Sequence, residues 1–94
     1  MRLILYSKPG CHLCEGLQEK LDQIQNLEID LEIRDITTRE DWFQAYQYEI
    51  PVLLRVNPQP TGTVEELLPR PSPRASVTQL EQMLQKYWLA DQSE

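Results

Sequence analysis

The chain predicts an α/β fold with the order β-α-β-α-β-β-α, a four-stranded mixed sheet flanked by three helices. Three observations carry this prediction. A short apolar run opens the chain, a period-two segment follows a helical stripe, and the later half holds two strand-like runs separated by a proline-rich turn. At 94 residues the chain is expected to form one domain over 1–94.

Each element has its own signal. Arg2–Tyr6 reads as a buried strand, ended by the breakers Pro9-Gly10. Leu13, Leu17, Leu21 and Ile24 then recur at separations of four, four and three, the apolar stripe of a helix running from His12 to near Asn26. Gly16 within it is either a close-packing position or a tolerated surface glycine. Leu27, Ile29, Leu31 and Ile33 alternate with Glu28, Asp30, Glu32 and Arg34, so Leu27–Arg34 predicts a strand with an acidic outer side, suited to an edge. Thr37 or Thr38 is expected to cap a short helix over Arg39–Tyr48, with Glu40 or Asp41 completing a capping-box pattern and Trp42, Phe43 and Tyr46 on its buried side.

Ile50–Val56 predicts the third strand, Asn57–Gly62 a turn, and Val64–Leu68 the fourth strand, antiparallel to the third. Pro69, Pro71 and Pro73 favour an extended connector. Ser76-x-x-Gln79 caps a last helix with Val77, Leu80, Met83, Leu84, Tyr87 and Trp88 on one face, and Ala90–Glu94 is expected to fray. The aromatic residues Trp42, Phe43, Tyr46, Tyr87 and Trp88 fall at helical spacing and read as core.

Composition removes several functions. Nine Lys+Arg against fifteen Asp+Glu give a net charge of −6, which repels nucleic-acid phosphates and anionic membrane surfaces. The longest apolar runs, Leu3–Tyr6 and Ile50–Leu54, are far shorter than the ~20 residues of a membrane span. No secretory pattern is expected at the N-terminus, which points to the cytoplasm, where thiols stay reduced.

Only two cysteines are present, and they form Cys11-His12-Leu13-Cys14. A pair so close closes too small a loop to act mainly as a staple. Placed at the start of the first helix, Cys11 sits at the terminus and Cys14 one turn inside, on the same face. Cys11 can then attack a target disulfide, and Cys14 can resolve the mixed disulfide. Attack needs a thiolate, and lowering a pKa from 8.5 to about 6 requires roughly 3.4 kcal/mol. A helix terminus contributes ~0.3–1 kcal/mol, about 2 when partly buried, so backbone N–H groups and nearby Lys8 or His12 must add to it. Two other readings stay open: a metal or iron–sulfur cluster shared between chains, and inert thiols. Two cysteines and one histidine fall short of the four ligands of a zinc site, so no metal is expected in the chain itself. Pro51 is a further signal. A cis Ile50-Pro51 bond would turn the Ile50 backbone outward as an unpaired edge for an extended substrate, whereas a trans proline would simply begin the strand.

Leu5-Tyr6-Ser7-Lys8-Pro9-Gly10-Cys11-His12-Leu13-Cys14 and Ile50-Pro51-Val52-Leu53-Leu54 resemble the thioredoxin-like fold, and more closely the glutaredoxin-like proteins, in particular a small bacterial group. The resemblance implies a thiol–disulfide oxidoreductase acting on protein or glutathione mixed disulfides. It implies Cys11 as nucleophile, Cys14 as resolving thiol and a cis Pro51 facing them. Lys8, His12, Ile50 and Pro51 would contact substrate. Glutathione would serve as co-substrate rather than as a tightly bound cofactor, with a reductase as electron donor and the chain as a monomer. Glutaredoxins usually carry a Gly-Gly turn and an acidic residue before the last helix. Here Pro69-Arg70-Pro71-Ser72-Pro73-Arg74-Ala75-Ser76 stands in that place. A redox-sensing adaptor on the same fold is the further alternative.

Overall fold

The structure is a computed structural model and describes residues 1–92. Its elements are β1 (Arg2–Ser7), α1 (His12–Asp22), β2 (Asp30–Asp35), a 3-10 turn (Ile36–Thr38), α2 (Glu40–Tyr46), β3 (Val52–Gln59), β4 (Gly62–Leu67) and α3 (Val77–Gln92). The four strands form one sheet in the order β2-β1-β3-β4. β1 runs parallel to β2 (Leu3 opposite Leu31) and antiparallel to β3 (Leu5 opposite Leu53), and β3 and β4 form an antiparallel hairpin.

β1 lies inside the sheet, with strands on both sides, and its apolar residues serve both faces. Leu3 and Leu5 meet Leu17 and Leu21 of α1, Leu53 of β3, and Leu80 and Leu84 of α3. Ile4 and Tyr6 point the other way, onto Ile36, Val52 and Leu54, and half-buried Trp42, Phe43 and Tyr46 of α2 close that side. This is why the run is continuous rather than alternating.

Several boundaries differ from the sequence reading. α1 ends at Asp22, not near Asn26, and β2 begins at Asp30, not Leu27. Ile24 and Leu27 are buried all the same, in the connection rather than in either element. Apolar spacing reports burial, and an irregular segment can bury the same residues. The edge position of β2 is as expected, but its polar side is not simply solvated. Glu32 lies opposite Ile4 and Arg34 opposite Tyr6. Arg34 pairs with Glu32, donates to the Tyr6 hydroxyl at 2.8 Å, and lies over the Trp42 ring at 5.3 Å.

The threonines do not cap α2. Its N-cap is Arg39, which makes no side-chain capping bond, and the helix stops at Tyr46. Instead Asp35 caps the 3-10 turn, accepting the Thr37 N–H at 2.9 Å and the Thr37 hydroxyl at 2.6 Å. Both threonines thus belong to the turn itself, one residue or more short of the α2 N-cap position. The expected capping box of α3 is present, with Gln79 N–H to Ser76 Oγ at 3.1 Å and Ser76 N–H to Gln79 Oε1 at 2.9 Å. The turn between β3 and β4 is tighter than expected. Pairing continues to Gln59 opposite Gly62, leaving only Pro60 and Thr61 in the loop, and Gly62 takes φ 139°. α3 continues to Gln92, through part of the segment expected to fray, while Ser93 and Glu94 lie outside the described residues.

Arg55 is the one buried charged side chain among the described residues, on the face occupied by α3. It donates to Glu66 Oε2 at 2.7 Å and to the Tyr87 carbonyl at 2.9 Å, and it stacks on the Tyr87 ring at 5.2 Å. A buried cation is tolerable only with such partners. They fasten the far end of α3 to the hairpin.

Two stability predictions follow from these contacts. Leu84 is fully buried between α3 and the sheet, so Leu84→Ala should cost about 2–5 kcal/mol in urea denaturation. The Glu32 carboxyl is held below its ordinary range by hydrogen bonds from Arg34 and then Arg2. Its folded pKa being depressed, its stabilisation is present above the unfolded value of 4.5 and lost as pH falls through the folded value. The difference in urea midpoint between wild type and Glu32→Gln should therefore be largest above about pH 5 and shrink on acidification.

Candidate redox site

The residues between β1 and α1 build the site locally. Lys8-Pro9-Gly10-Cys11 is a turn closed by the Cys11 N–H on the Lys8 carbonyl at 3.2 Å. Proline suits the second position, and Gly10, at φ 81°, supplies the left-handed third position of a type II turn. The turn ends with Cys11 as the N-cap of α1. Its Sγ accepts the Cys14 backbone N–H at 3.3 Å, the bond a serine oxygen would make there. Cys14, one turn on, is 2% exposed, whereas Cys11 is partly exposed. The two form a disulfide with Cα atoms 5.3 Å apart.

This arrangement favours negative charge on Cys11 once the pair is reduced. The sulfur stands at the positive end of a helix with an N–H directed at it, so the thiolate gains a hydrogen bond that the thiol uses poorly. Cys14 is instead shielded from solvent.

The other expected site residues divide between two sides of the α1 start. Pro51, after a cis Ile50-Pro51 bond, shares a cleft of about 230 Å³ with His12, Leu13, Gly16 and Arg70. Leu13, expected on the buried stripe of α1, is 52% exposed there, and Cys14 takes the inward position instead. A Cβ at Gly16 would meet nothing within 4 Å, so close packing does not require that glycine. Lys8 is on the other side, lining a second cleft of about 260 Å³ with Cys14, Glu15 and Asp35. The His12 ring is exposed and lies 3.6 Å from the Glu15 carboxylate.

The Ile50 backbone does not present the unpaired edge expected from sequence. Its N–H bonds to the Tyr46 carbonyl at 3.2 Å, and its carbonyl accepts from Arg70 Nη2 at 3.2 Å. The segment that takes the place of a Gly-Gly turn thus reaches the site through a side chain. It is also held from the opposite wall, where Lys20 Nζ donates to the Pro73 carbonyl at 2.8 Å. From sequence, Arg70 and Arg74 are the two arginines able to receive a substrate carboxylate in place of that turn, and the structure puts Arg70 in the cleft with Pro51. The one available hint was its place in a proline-stiffened connector facing the start of α1. Among the described residues no group of three or more His, Cys, Asp or Glu side chains is arranged to hold a metal ion, and no helix is long and apolar enough to cross a membrane.

Comparison with known proteins agrees with this geometry. The model of the glutaredoxin-like domain family (DUF836) matches residues 2–85. The chain belongs to this family. A solved structure, target protein XcR50 from X. campestris, is similar at 26% identity, with a TM-score of 0.57 over 89% of this chain and 96% of that one. No curated protein matches the chain. As a glutaredoxin-like domain it has the thioredoxin-like α/β architecture, and its Cys-x-x-Cys pair supports a redox role.

The unequal exposure of the two sulfurs makes a direct prediction. In the reduced protein, a limiting amount of iodoacetamide at pH 7 should label Cys11 well ahead of Cys14, by at least tenfold in peptide mapping. Equal labelling would contradict the assignment of Cys11 as the reactive thiol.

Proposed function

We propose that this glutaredoxin-like domain is a thiol–disulfide oxidoreductase that reduces protein or glutathione mixed disulfides. The observation that carries the reading is the Cys11 sulfur at the α1 N-cap. It accepts the Cys14 N–H and lies within bonding reach of a buried partner thiol. A binding module has no need of one exposed and one sheltered sulfur at this spacing. Dithiol exchange does.

The Cys11 thiolate attacks one sulfur of the substrate disulfide. One substrate half leaves as a thiol after taking a proton, and the other is held on Cys11. Cys14 then loses its proton and attacks Cys11 Sγ, which releases the second half and closes the Cys11–Cys14 disulfide. The substrate gains two electrons and the protein loses two. A second thiol compound, glutathione or a reductase, returns the protein to the dithiol. Pro51 and the exposed Leu13 form an apolar surface beside the start of α1 for the substrate sulfur, with His12 and Arg70 in the same cleft and Lys8 in the neighbouring one. Cytoplasmic action fits this chemistry, since the cycle requires a reducing supply.

Cys11→Ser should abolish reduction of a glutathionylated peptide. Cys14→Ser should capture the peptide or glutathione as a mixed disulfide visible as a mass increment on Cys11. Full activity in both variants would remove the proposed function.

A further inference from the structure

Four arginines, Arg2, Arg34, Arg39 and Arg55, are neutralised by carboxylates. Lys20 and Arg70 are not in any ion pair among the described residues, and both line the cleft beside Pro51. In a chain of net charge −6 this places positive charge without a paired carboxylate beside Pro51, in a cleft that also takes in His12 and Leu13, the residues following Cys11. The rest of that cleft is largely aliphatic, with Leu13, Leu17, Pro51 and Pro71.

Arg70 has one hydrogen-bond partner at the site. One of its five N–H donors goes to the Ile50 carbonyl at 3.2 Å, which leaves others for a second acceptor. A carboxylate is the acceptor that fits, because it takes two guanidinium N–H groups side by side and is charge-matched. While Arg70 stays in place, the Ile50 backbone has both its groups engaged, the N–H on Tyr46 and the carbonyl on Arg70. An extended segment can pair with that carbonyl only if the guanidinium turns away.

We propose that Arg70 is a specificity-determining residue that selects polypeptide disulfides bearing a carboxylate beside the reacting cysteine. This rests on the oxidoreductase reading above. The carboxylate draws the guanidinium from Ile50, and the freed carbonyl accepts a backbone N–H of the same segment, so charge recognition and strand-like docking occur together. A neutral segment must displace Arg70 without a replacement partner for it. The covalent steps are those already given, and the added recognition changes only which substrate reaches Cys11.

The test uses two symmetric peptide disulfides, identical except for Glu or Gln next to the cysteine. Each is mixed with the reduced full chain, and the released thiol is measured after acid quench. Rates are divided by those with dithiothreitol, to remove differences in intrinsic reactivity. The wild type should prefer the Glu peptide by up to about fivefold, the range open to a partly exposed ion pair, and the preference should fall at high salt. Arg70→Gln should bring the ratio to about one, and Arg70→Lys should retain part of the preference. Equal wild-type rates, or a preference that survives in Arg70→Gln, would overturn the role of Arg70 alone. If the wild type reduces neither peptide while dithiothreitol reduces both, the oxidoreductase reading fails, and this proposal fails with it.

Discussion

Burial of β1 on both faces is the constraint from which the rest of the molecule follows. Leu3, Ile4 and Leu5 are each almost wholly removed from solvent, two toward α1 and α3 and one toward α2. A strand clamped this way cannot slip by one residue without exchanging its two apolar sets. Its register against β2 and β3 is therefore firm, and so is the point at which Ser7 leaves the sheet. From that fixed exit the Lys8–Cys11 turn has little freedom, and Cys11 arrives at the α1 N-cap. The Cys11 sulfur is positioned by a hydrophobic core, with the Cys14 N–H as its hydrogen-bond donor.

Much of this was legible in the sequence because the signals were local. The uninterrupted run at β1, the Pro-Gly break and the cysteine spacing each specify one short piece of backbone. The Ser76–Gln79 box reads from four residues and is found as written. Legibility failed where a residue's role depends on partners distant in the chain. Leu27 alternates with β2 yet lies before it, because its burial is satisfied by α1 and α3 rather than by strand pairing. Arg55 interrupts an apolar strand, and only the meeting of Glu66 and Tyr87 around it explains why it is not out of place. Thr37 and Thr38 lie inside the 3-10 turn that Asp35 caps, so neither is placed to cap α2.

The candidate site shows the same division. Cys11, Cys14 and Pro51 were marked by residue type and spacing, and the fold brings them to one end of the sheet. What the sequence did not show is that Lys8 and Pro51 serve opposite sides of α1, or that Ile50 is already bonded at both backbone groups. Neither fact has a local signature. Arg70 is twenty residues from Ile50, in a connector whose prolines read only as an extended spacer.

That connector also changes the physics of recognition. A Gly-Gly turn offers a substrate backbone N–H groups that are fixed and uncharged. The proline-rich segment has few N–H groups to give, since Pro69, Pro71 and Pro73 have none. It compensates with a side chain, Arg70, while Lys20 secures the segment at Pro73. A guanidinium acts over a longer range than a backbone N–H and responds to salt, and it can swing between an internal carbonyl and an external carboxylate. On the proposal made above, this exchange of turn for strap would move selectivity from the shape of a backbone loop to the charge of one side chain. The buried scaffold that places Cys11 is untouched by that exchange, so on that proposal the core and the connector would carry separate parts of the chemistry.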